Sequence, residues 1–310
     1  MTDESLGYRG LVNEGMTCYI NSLLQAMYSL GSFRGLVYRL TYAQNGHQEG
    51  QQSILLSLQR IFFNLQNESD AVRTYELLKA FGFTEQQRMI QEDASEFQMY
   101  LNDYLEDHIK GTDEEALFKH LFFGEKENVI KCSHVNYESA SKESYNNLSV
   151  HLQESNTLEE ALRSLFRAED LTGENQYLHE THGKQDAKKF MRIKSMPAVL
   201  QININRFGVS SRGEMIKINS RCEFDDYLDF DKIMEGTDSF ELSQASDRIS
   251  SQQALHSQKA ITGSKDQAVA AFSRNTYRLH AILCHNGTLN SGHYFCYLRT
   301  NKSHGGSERI

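Results

Sequence analysis

The hydrophobic period changes along the chain, and this change constrains the fold more than any other feature of the sequence. The first part carries stripes of apolar residues at three- and four-residue steps, which is typical of amphipathic helices. These stripes are Ile20–Leu30 in a helix that begins near Cys18, Ile54–Leu65, and Ala94–Leu105. In the second part Leu200, Ile202 and Ile204 alternate with polar residues, which predicts a strand with one buried face. Helices first and strands afterwards favour an α+β fold.

Three further segments complete the expected organisation. A short helix is predicted near 157–167, because Thr157-Leu-Glu-Glu160 matches a capping box. Tyr277–His285 and His293–Arg299 alternate in hydrophobicity and are joined by a loop of Gly, Asn and Ser, which predicts a β-hairpin. Residues 236–275 are rich in Ser, Gln and Ala without a clear period, so we interpret them as a flexible insertion.

Composition and charge exclude several classes of function. The formal net charge is -9 and no basic face is visible, which argues against a nucleic-acid partner. No apolar run approaches the roughly 20 residues that span a bilayer, and the first residues lack the apolar stretch of a signal peptide. We therefore expect no membrane partner. The five scattered cysteines indicate free thiols in a reducing compartment, which predicts a cytoplasmic or nuclear location.

The segment Asn13-Glu-Gly-Met-Thr-Cys18 has the composition of a thiol-based catalytic site. A Cys in the first turn of a helix lies at the positive end of the helix dipole, which favours a thiolate. Gly15 allows the preceding loop to fold tightly against the helix start. The Asn13 amide is placed to donate a hydrogen bond to an oxyanion beside the Cys18 backbone N–H.

A general base must accompany the thiol, and the predicted hairpin carries His280, His285 and His293. Gly292 places the His293 imidazole where a loop meets a strand, which favours His293 as the base. His280 and His285 are equally compatible with packing or with substrate contacts. Taken alone, an isolated Cys is more often a small buried hydrophobe and a strand His more often structural, so spacing does not decide the pair.

The ordered motifs resemble the ubiquitin-specific protease family of cysteine deubiquitinases. The segments that carry this resemblance are Gly10–Gln25, similar to the Cys box; Gln91–Glu96, similar to Q-x-D-x-x-E; Leu200–Phe207, similar to the strand ending L-x-R-F; and Tyr277–His285 with Gly292–Tyr294, similar to the His box. Phe122-Phe-Gly124 and Leu171–Tyr177 resemble the herpesvirus-associated type of large ubiquitin-specific proteases.

The resemblance implies a papain-like cysteine protease fold. A helical thumb would cover about 7–115, and β fingers with a β-rich palm about 118–300, so that the catalytic domain spans 7–300. Residues 301–310 match no palm strand and are expected to be a polar tail. The chain is therefore expected to be truncated at the C-terminal end of the palm.

The resemblance also implies a reaction and a partner. The partners would be ubiquitin and ubiquitinated proteins, and the bond after the C-terminal Gly of ubiquitin would be hydrolysed. Catalysis would rest on Cys18, His293 and the oxyanion donor Asn13. The implied substrate-binding residues are Gln25, Asp93, Glu96, His285 and Tyr294, with the two carboxylates binding the basic ubiquitin tail. Without the family, Asp93 and Glu96 are a helix start favoured by the dipole, and Gln25 is a polar position on a helix.

Two departures from the family pattern leave alternatives open. Many relatives hold zinc with two CxxC pairs, whereas this chain has Cys132-Ser-His134 and His179-Glu-Thr-His182. We expect no metal cofactor, with a tetrahedral site of these residues as the alternative. No Asp or Asn in a matching context follows His293, since only Asn301 and Glu308 are available. Three functions remain open for the chain: an active hydrolase of ubiquitin conjugates, a weak or inactive ubiquitin-binding pseudo-deubiquitinase, and a hydrolase of a ubiquitin-like modifier.

Overall fold

A computed structural model gives the arrangement of most of the chain. It describes residues 8–40, 53–152, 156–237, 275–289 and 291–299, together with the backbone of 307–309. The predicted insertion at 236–275 lies outside the described residues except at its two ends.

The described helices include all four segments that the sequence predicted to be helical. The helices are α1 (Cys18–Ser29), α2 (Gly31–Arg39), α3 (Ile54–Asn67), α4 (Tyr75–Ala80), α5 (Ala94–Ile109), α6 (Glu114–Phe122), α7 (Leu158–Leu165) and α8 (Phe230–Met234). Thr157 caps α7 as predicted, because its side chain accepts a hydrogen bond from the Glu160 backbone N–H. In the part of the chain that is described, no helix is both long and apolar enough to cross a membrane.

The named strands all lie after residue 123, and seven of them precede Leu200, where the alternation that predicted strands begins. They are β1 (Gly124–Cys132), β2 (Glu138–Tyr145), β3 (Leu148–His151), β4 (Glu169–Leu171), β5 (Tyr177–His179), β6 (Gly183–Gln185), β7 (Ala187–Ser195), β8 (Ile202–Asn205), β9 (Phe207–Val209), β10 (Met215–Lys217), β11 (Tyr227–Asp229), β12 (Thr276–Arg278), β13 (Ala281–Gly287), β14 (Gly292–Arg299) and β15 (Ser307–Arg309). Helices and sheets thus occur together, in agreement with an α+β class.

The chain divides into two compact units. One comprises Met1–Leu121, Phe207–Ile218 and Leu279–Ile310, and the other comprises Phe122–Arg206 and Asn219–Arg278. The first unit contains α1 to α5, the β9–β10 hairpin and the sheet of order β13-β14-β15. All candidate catalytic and substrate-binding residues belong to this first unit.

Helix α1 forms the centre of the first unit. Ile20 and Leu24 are fully buried, and Ala26 packs against Cys296 and Leu298 of β14. Burying an aliphatic side chain of this size contributes about 1.5–3 kcal/mol, so this packing sets the position of α1 against the strand that carries His293. The resulting contact brings the N-terminal end of α1 to the start of β14.

The prediction of one strand over Tyr277–His285 is wrong. Tyr277 lies in β12, which pairs with β11, whereas β13 begins at Ala281 and pairs with β14. The two halves of the predicted strand therefore have different partners, which a one-dimensional alternation does not reveal. The hairpin of β13 and β14 is confirmed, and β15, in the segment expected to be a tail, pairs antiparallel with Tyr297–Arg299.

The second unit is built on an antiparallel sheet of order β2-β1-β7-β4. The first position of β1 requires glycine, because a Cβ on Gly124 would lie 2.6 Å from both the Ser195 carbonyl oxygen and the Tyr145 ring. Strand β8 pairs with β3 in parallel. The expected alternation of burial in β8 is not observed: all four residues are partly buried, although Ile202 and Ile204 pack against the core of the unit.

Candidate active site

The Cys18 side chain lies at the start of α1 and receives two hydrogen bonds. Its Sγ accepts from the Gln91 side-chain Nε2 at 3.3 Å and from the Tyr294 backbone N–H at 3.3 Å. The residue is 6% exposed. Both donors, and the N-terminal end of α1, interact more strongly with a negatively charged sulfur than with a neutral one. The surroundings of Cys18 are therefore suited to a nucleophilic thiolate.

The loop before Cys18 is held against the segment that carries Gln91. Gly15 has φ of 123°, and a Cβ there would lie 2.6 Å from the Arg88 carbonyl oxygen. The next residue, Met16, donates its backbone N–H to that same oxygen at 2.7 Å. The predicted need for Gly15 is confirmed, because only glycine tolerates both this φ and this approach. Because Arg88 is held against the Cys18 loop, Gln91, three residues later, lies close enough for its side chain to contact the sulfur.

The orientation of the Asn13 amide is set by Thr17. The buried Thr17 hydroxyl accepts a hydrogen bond from the Glu14 N–H at 3.1 Å and donates to Asn13 Oδ1 at 2.9 Å. A hydroxyl has one proton, so the Glu14 donor directs that proton to Asn13. The Asn13 Nδ2 group is then left as the donor end of an exposed amide, five residues before Cys18 in the preceding loop.

His293 lies at the start of β14 and is exposed. Its ring stacks on that of Phe295, with 6.5 Å between centroids, on the strand face opposite to Cys296 and α1. Among the described residues, no hydrogen bond joins the His293 imidazole to Cys18 Sγ. The sulfur instead contacts the backbone N–H of the next residue, Tyr294. His293 is thus the sequence neighbour of a residue that contacts the sulfur, and its own side chain forms no hydrogen bond with Cys18.

His285 lies directly across the hairpin from Tyr294. The two rings are 4.7 Å apart at an angle of 34°. Lys217 Nζ lies 2.9 Å from His285 Nδ1. Burial, then the charge of Lys217, lowers the pKa of His285, and Asp93 opposes this shift. His285 therefore belongs to the same cluster as Tyr294.

Asp93 is the N-cap of α5, and its Oδ1 accepts hydrogen bonds from the Ser95 N–H at 2.7 Å and the Ser95 hydroxyl at 2.6 Å. This is the helix-start role that the residues alone indicate. Burial, followed by the charge of Asp93, raises the pKa of the Tyr294 phenol to about 12. Glu96 also contributes to that rise and is exposed on α5. Asp93, Glu96 and Tyr294 thus form an acidic face close to Cys18.

Gln25 lies two turns along α1 from Cys18 and is buried. Its Nε2 donates to the Arg9 carbonyl oxygen at 2.7 Å and so fixes the segment before the Cys18 loop. His280 contacts the far end of α1, where Ser29 Oγ lies 2.7 Å from its Nε2. In the structure Gln25 and His280 therefore hold α1 to neighbouring segments.

Comparison with known proteins decides the family. The sequence matches the ubiquitin carboxyl-terminal hydrolase family over residues 9–305. The chain belongs to this family. It is 34% identical over 96% of its length to ubiquitin carboxyl-terminal hydrolase 15 of Schizosaccharomyces pombe, and 35% identical over 94% to ubiquitin C-terminal hydrolase 12 of Arabidopsis thaliana. Ubiquitin carboxyl-terminal hydrolase 7 of Drosophila melanogaster is 32% identical over 94% of the chain.

These similarities cover only part of each relative. The aligned region is 23% of the Schizosaccharomyces pombe and Drosophila melanogaster proteins and 24% of the Arabidopsis thaliana protein. The chain thus spans about a quarter of the length of the curated relatives it matches. The expected resemblance to ubiquitin-specific proteases is confirmed at the level of the family.

The residues of the alternative metal site, Cys132, His134, His179 and His182, lie in the second unit and are not arranged around a common point. His179 Nδ1 accepts backbone N–H groups of Thr181 at 3.1 Å and His182 at 3.3 Å, so a metal would compete with both donors. His134 contacts Asp186 at 3.5 Å. Within the described ranges, no group of three or more His, Cys, Asp or Glu side chains is placed to hold a metal ion. As they stand, Cys132 and the three histidines do not fit a tetrahedral site.

Three residues of the site were not predicted from the sequence. Gln91 was noted only as the first letter of a motif, although it contacts the sulfur. Thr17 was noted only as part of the Cys18 loop, and Lys217 was not singled out. The motif that begins with Gln91 was an available signal. For Lys217 there was none, because 68 residues separate it from His285.

Proposed function

We propose that this chain is a cysteine-dependent deubiquitinase that hydrolyses the peptide or isopeptide bond after the C-terminal Gly of ubiquitin. Membership of the ubiquitin carboxyl-terminal hydrolase family supports the substrate class. The observation that carries the chemistry is the environment of Cys18 Sγ, with two N–H donors and a helix N-terminus directed at one sulfur. This arrangement stabilises the charge that a nucleophilic thiol must acquire.

The proposed mechanism assigns one step to each candidate residue. His293 removes the Cys18 thiol proton, and Sγ attacks the carbonyl carbon of the last Gly. The Asn13 Nδ2 and the Cys18 backbone N–H donate to the resulting oxyanion. Collapse of the intermediate expels the amine, which takes the proton from His293 and leaves a thioester. Water, deprotonated by His293, then releases the ubiquitin carboxylate and regenerates the thiol.

The acidic face close to Cys18 is the proposed binding site for the basic ubiquitin tail. Asp93 and Glu96 would form charge-assisted hydrogen bonds with an arginine of that tail. His285 and Tyr294 are proposed to line the path to the sulfur. Gln25 is proposed to act beside them, supported by its position two turns from Cys18 on α1.

A second candidate function is a ubiquitin-binding protein with weak or no hydrolase activity. The observation that favours it is the position of His293, which is exposed and stacked on Phe295. Within the described part of the chain, the His293 ring forms no hydrogen bond with Cys18. Without a nearby base, Cys18 would have to ionise unaided and the leaving amine would lack its proton donor.

Several finer assignments are proposed together. Thumb, fingers and palm at the boundaries expected from the sequence, and closeness to the herpesvirus-associated type, rest on the motif resemblance. The partners are ubiquitin and ubiquitinated proteins, with neither nucleic acid nor membrane involved and no metal cofactor required. The acidic charge and the free cysteines support a cytoplasmic or nuclear location.

The test is reaction with ubiquitin that carries a thiol-reactive electrophile at its C-terminus. We expect a covalent adduct that is lost in Cys18→Ala and retained in the matched variant Cys222→Ala, whose thiol lies in the second unit. Turnover of ubiquitin with a fluorogenic C-terminal amide should show the same dependence. Binding of ubiquitin without adduct or turnover would support the second candidate, and absence of binding would refute both.

A further inference from the structure

Three possible acceptors at the end of the β13 strand lie within hydrogen-bond distance of the Lys217 ammonium. Nζ lies 2.9 Å from His285 Nδ1, 3.0 Å from the His285 carbonyl oxygen and 3.0 Å from the Gly287 carbonyl oxygen. A lysine ammonium has three N–H donors and no acceptor. Lys217 itself ends β10 and pairs there with Phe207, so its backbone is fixed by the β9–β10 hairpin.

These contacts determine the protonation state of His285. Because the ammonium only donates, Nδ1 must be the unprotonated nitrogen of the ring, and the proton of a neutral imidazole must lie on Nε2. Protonation of Nδ1 would place an N–H group against an N–H group and would remove one of the three hydrogen bonds of Lys217. These contacts therefore favour the neutral Nε2–H tautomer of His285.

The Nε2 side of His285 faces the beginning of β14. A Cβ added to Gly292 would lie 2.2 Å from Nε2, so the ring occupies the space that this glycine leaves open. Gly292 immediately precedes His293, and the next residue, Tyr294, stacks on the His285 ring and donates its N–H to Cys18. A change in the His285 ring is thereby transmitted to backbone atoms that contact the sulfur.

We propose that Lys217 is a positioning residue, which holds His285 as a neutral Nε2–H donor against the start of the strand that carries His293 and Tyr294. The proposal rests on the proposed function only for its effect on catalysis, since the state of His285 can be measured without substrate. It extends that function by adding a lysine on a separate hairpin to the support of the site.

The charged and titratable groups around His285 agree with this assignment. They are Lys217 from β10, Asp93 from the start of α5 and the phenol of Tyr294 from β14. Burial lowers the pKa of His285 first and Lys217 lowers it further, whereas Asp93 raises it. Removal of Lys217 takes away one of the two effects that lower the pKa of His285, so that pKa should move upward.

The first measurement is nuclear magnetic resonance of the 15N-labelled imidazole of His285 from pH 5 to 8. We expect the Nε2–H tautomer with a pKa below the ordinary value of about 6.5. Lys217→Met should raise that pKa and mix the tautomers, and Lys217→Arg should restore the wild-type spectrum. Lys79→Met, which removes an exposed lysine of α4 in the same unit, is the matched control. An unchanged His285 titration in a folded Lys217→Met protein would overturn the proposal.

The second measurement is kcat/KM on ubiquitin with a fluorogenic C-terminal amide. Lys217→Met should lower kcat/KM by up to about 100-fold, as for a displaced catalytic group. It should also move the acid limb of the pH profile to higher pH. Full activity with an unchanged profile, in a variant whose His285 titration has shifted, would refute the link to catalysis. If the wild type neither turns over nor labels, the proposed function fails, and the magnetic resonance result still decides the role of Lys217.

Discussion

Replacing Gln91 by Glu tests whether the contact with Cys18 stabilises a charged sulfur. The substitution keeps the size of the side chain and exchanges the Nε2 donor, 3.3 Å from Sγ, for a carboxylate oxygen. Two negative charges about 4 Å apart repel by roughly 1 kcal/mol in water and roughly 4 kcal/mol at an effective dielectric constant of 20. Because Gln91 is partly buried, we expect ionisation of Cys18 to become harder by an amount between these limits.

Alkylation by iodoacetamide measures the thiolate directly. At neutral pH the expected cost corresponds to a slower reaction of Cys18 by about fivefold to about a thousandfold, read from the Cys18 peptide by mass spectrometry. The other cysteines serve as internal references. Gln91→Ala removes one hydrogen bond to a charged group, about 1.5–3 kcal/mol, and should slow Cys18 by at least about tenfold.

The matched control is Gln87→Glu, in the 3-10 turn of the same loop. It adds the same charge but keeps the Oε1 acceptor that Gln87 uses with the Thr84 N–H. Cys18 should then react at nearly the wild-type rate, because an exposed charge farther from the sulfur is screened. Equal rates for Gln91→Glu and wild type across pH 5 to 10 would refute the inference that Gln91 acts on the sulfur.

Two further substitutions probe the supports of the site. Thr17→Val removes the proton that orients the Asn13 amide and should lower kcat by up to about 100-fold, the lower limit of the roughly 100- to 1,000-fold loss that follows removal of an oxyanion donor. Thr17→Ser should retain activity, and equal kcat for both variants would contradict the role of the hydroxyl. Gly292→Ala places a Cβ 2.2 Å from His285 Nε2 and should lower kcat/KM in the fluorogenic ubiquitin assay, whereas Gly10→Ala, with no atom within 4 Å of the new Cβ, should not; wild-type activity of Gly292→Ala would show that the His285 ring is free to move.

Local sequence signals predicted the elements that carry the site. The apolar stripe after Cys18 gave α1, the capping box gave α7, and the alternation around the Gly, Asn and Ser loop gave the hairpin of β13 and β14. Gly15 was also predictable, because a glycine before a helix start is a local requirement of backbone geometry. Each of these features depends on residues that are neighbours in sequence.

The contacts between elements could not be predicted in the same way. Gln91 and Tyr294 are 73 and 276 residues from Cys18, and both contacts depend on how loops and strands pack rather than on hydrophobic period. The break between β12 and β13 was missed for the same reason, since pairing partners are set by tertiary structure. In β8, Ile202 and its neighbours are only partly buried although their alternation is regular.

The two proposed functions differ in whether the His293 ring can act on Cys18 Sγ. The sulfur contacts the Tyr294 backbone N–H, which lies in the plane of the sheet, whereas the His293 side chain projects from the face. In the proposed mechanism the His293 ring would have to leave Phe295 to reach a sulfur that Gln91 and Tyr294 already contact. A bound ubiquitin tail that contacts Asp93 and His285 would act on the same hairpin end. Turnover that rises with tail binding, while alkylation of Cys18 by iodoacetamide stays constant, is the result expected if only the His293 ring moves.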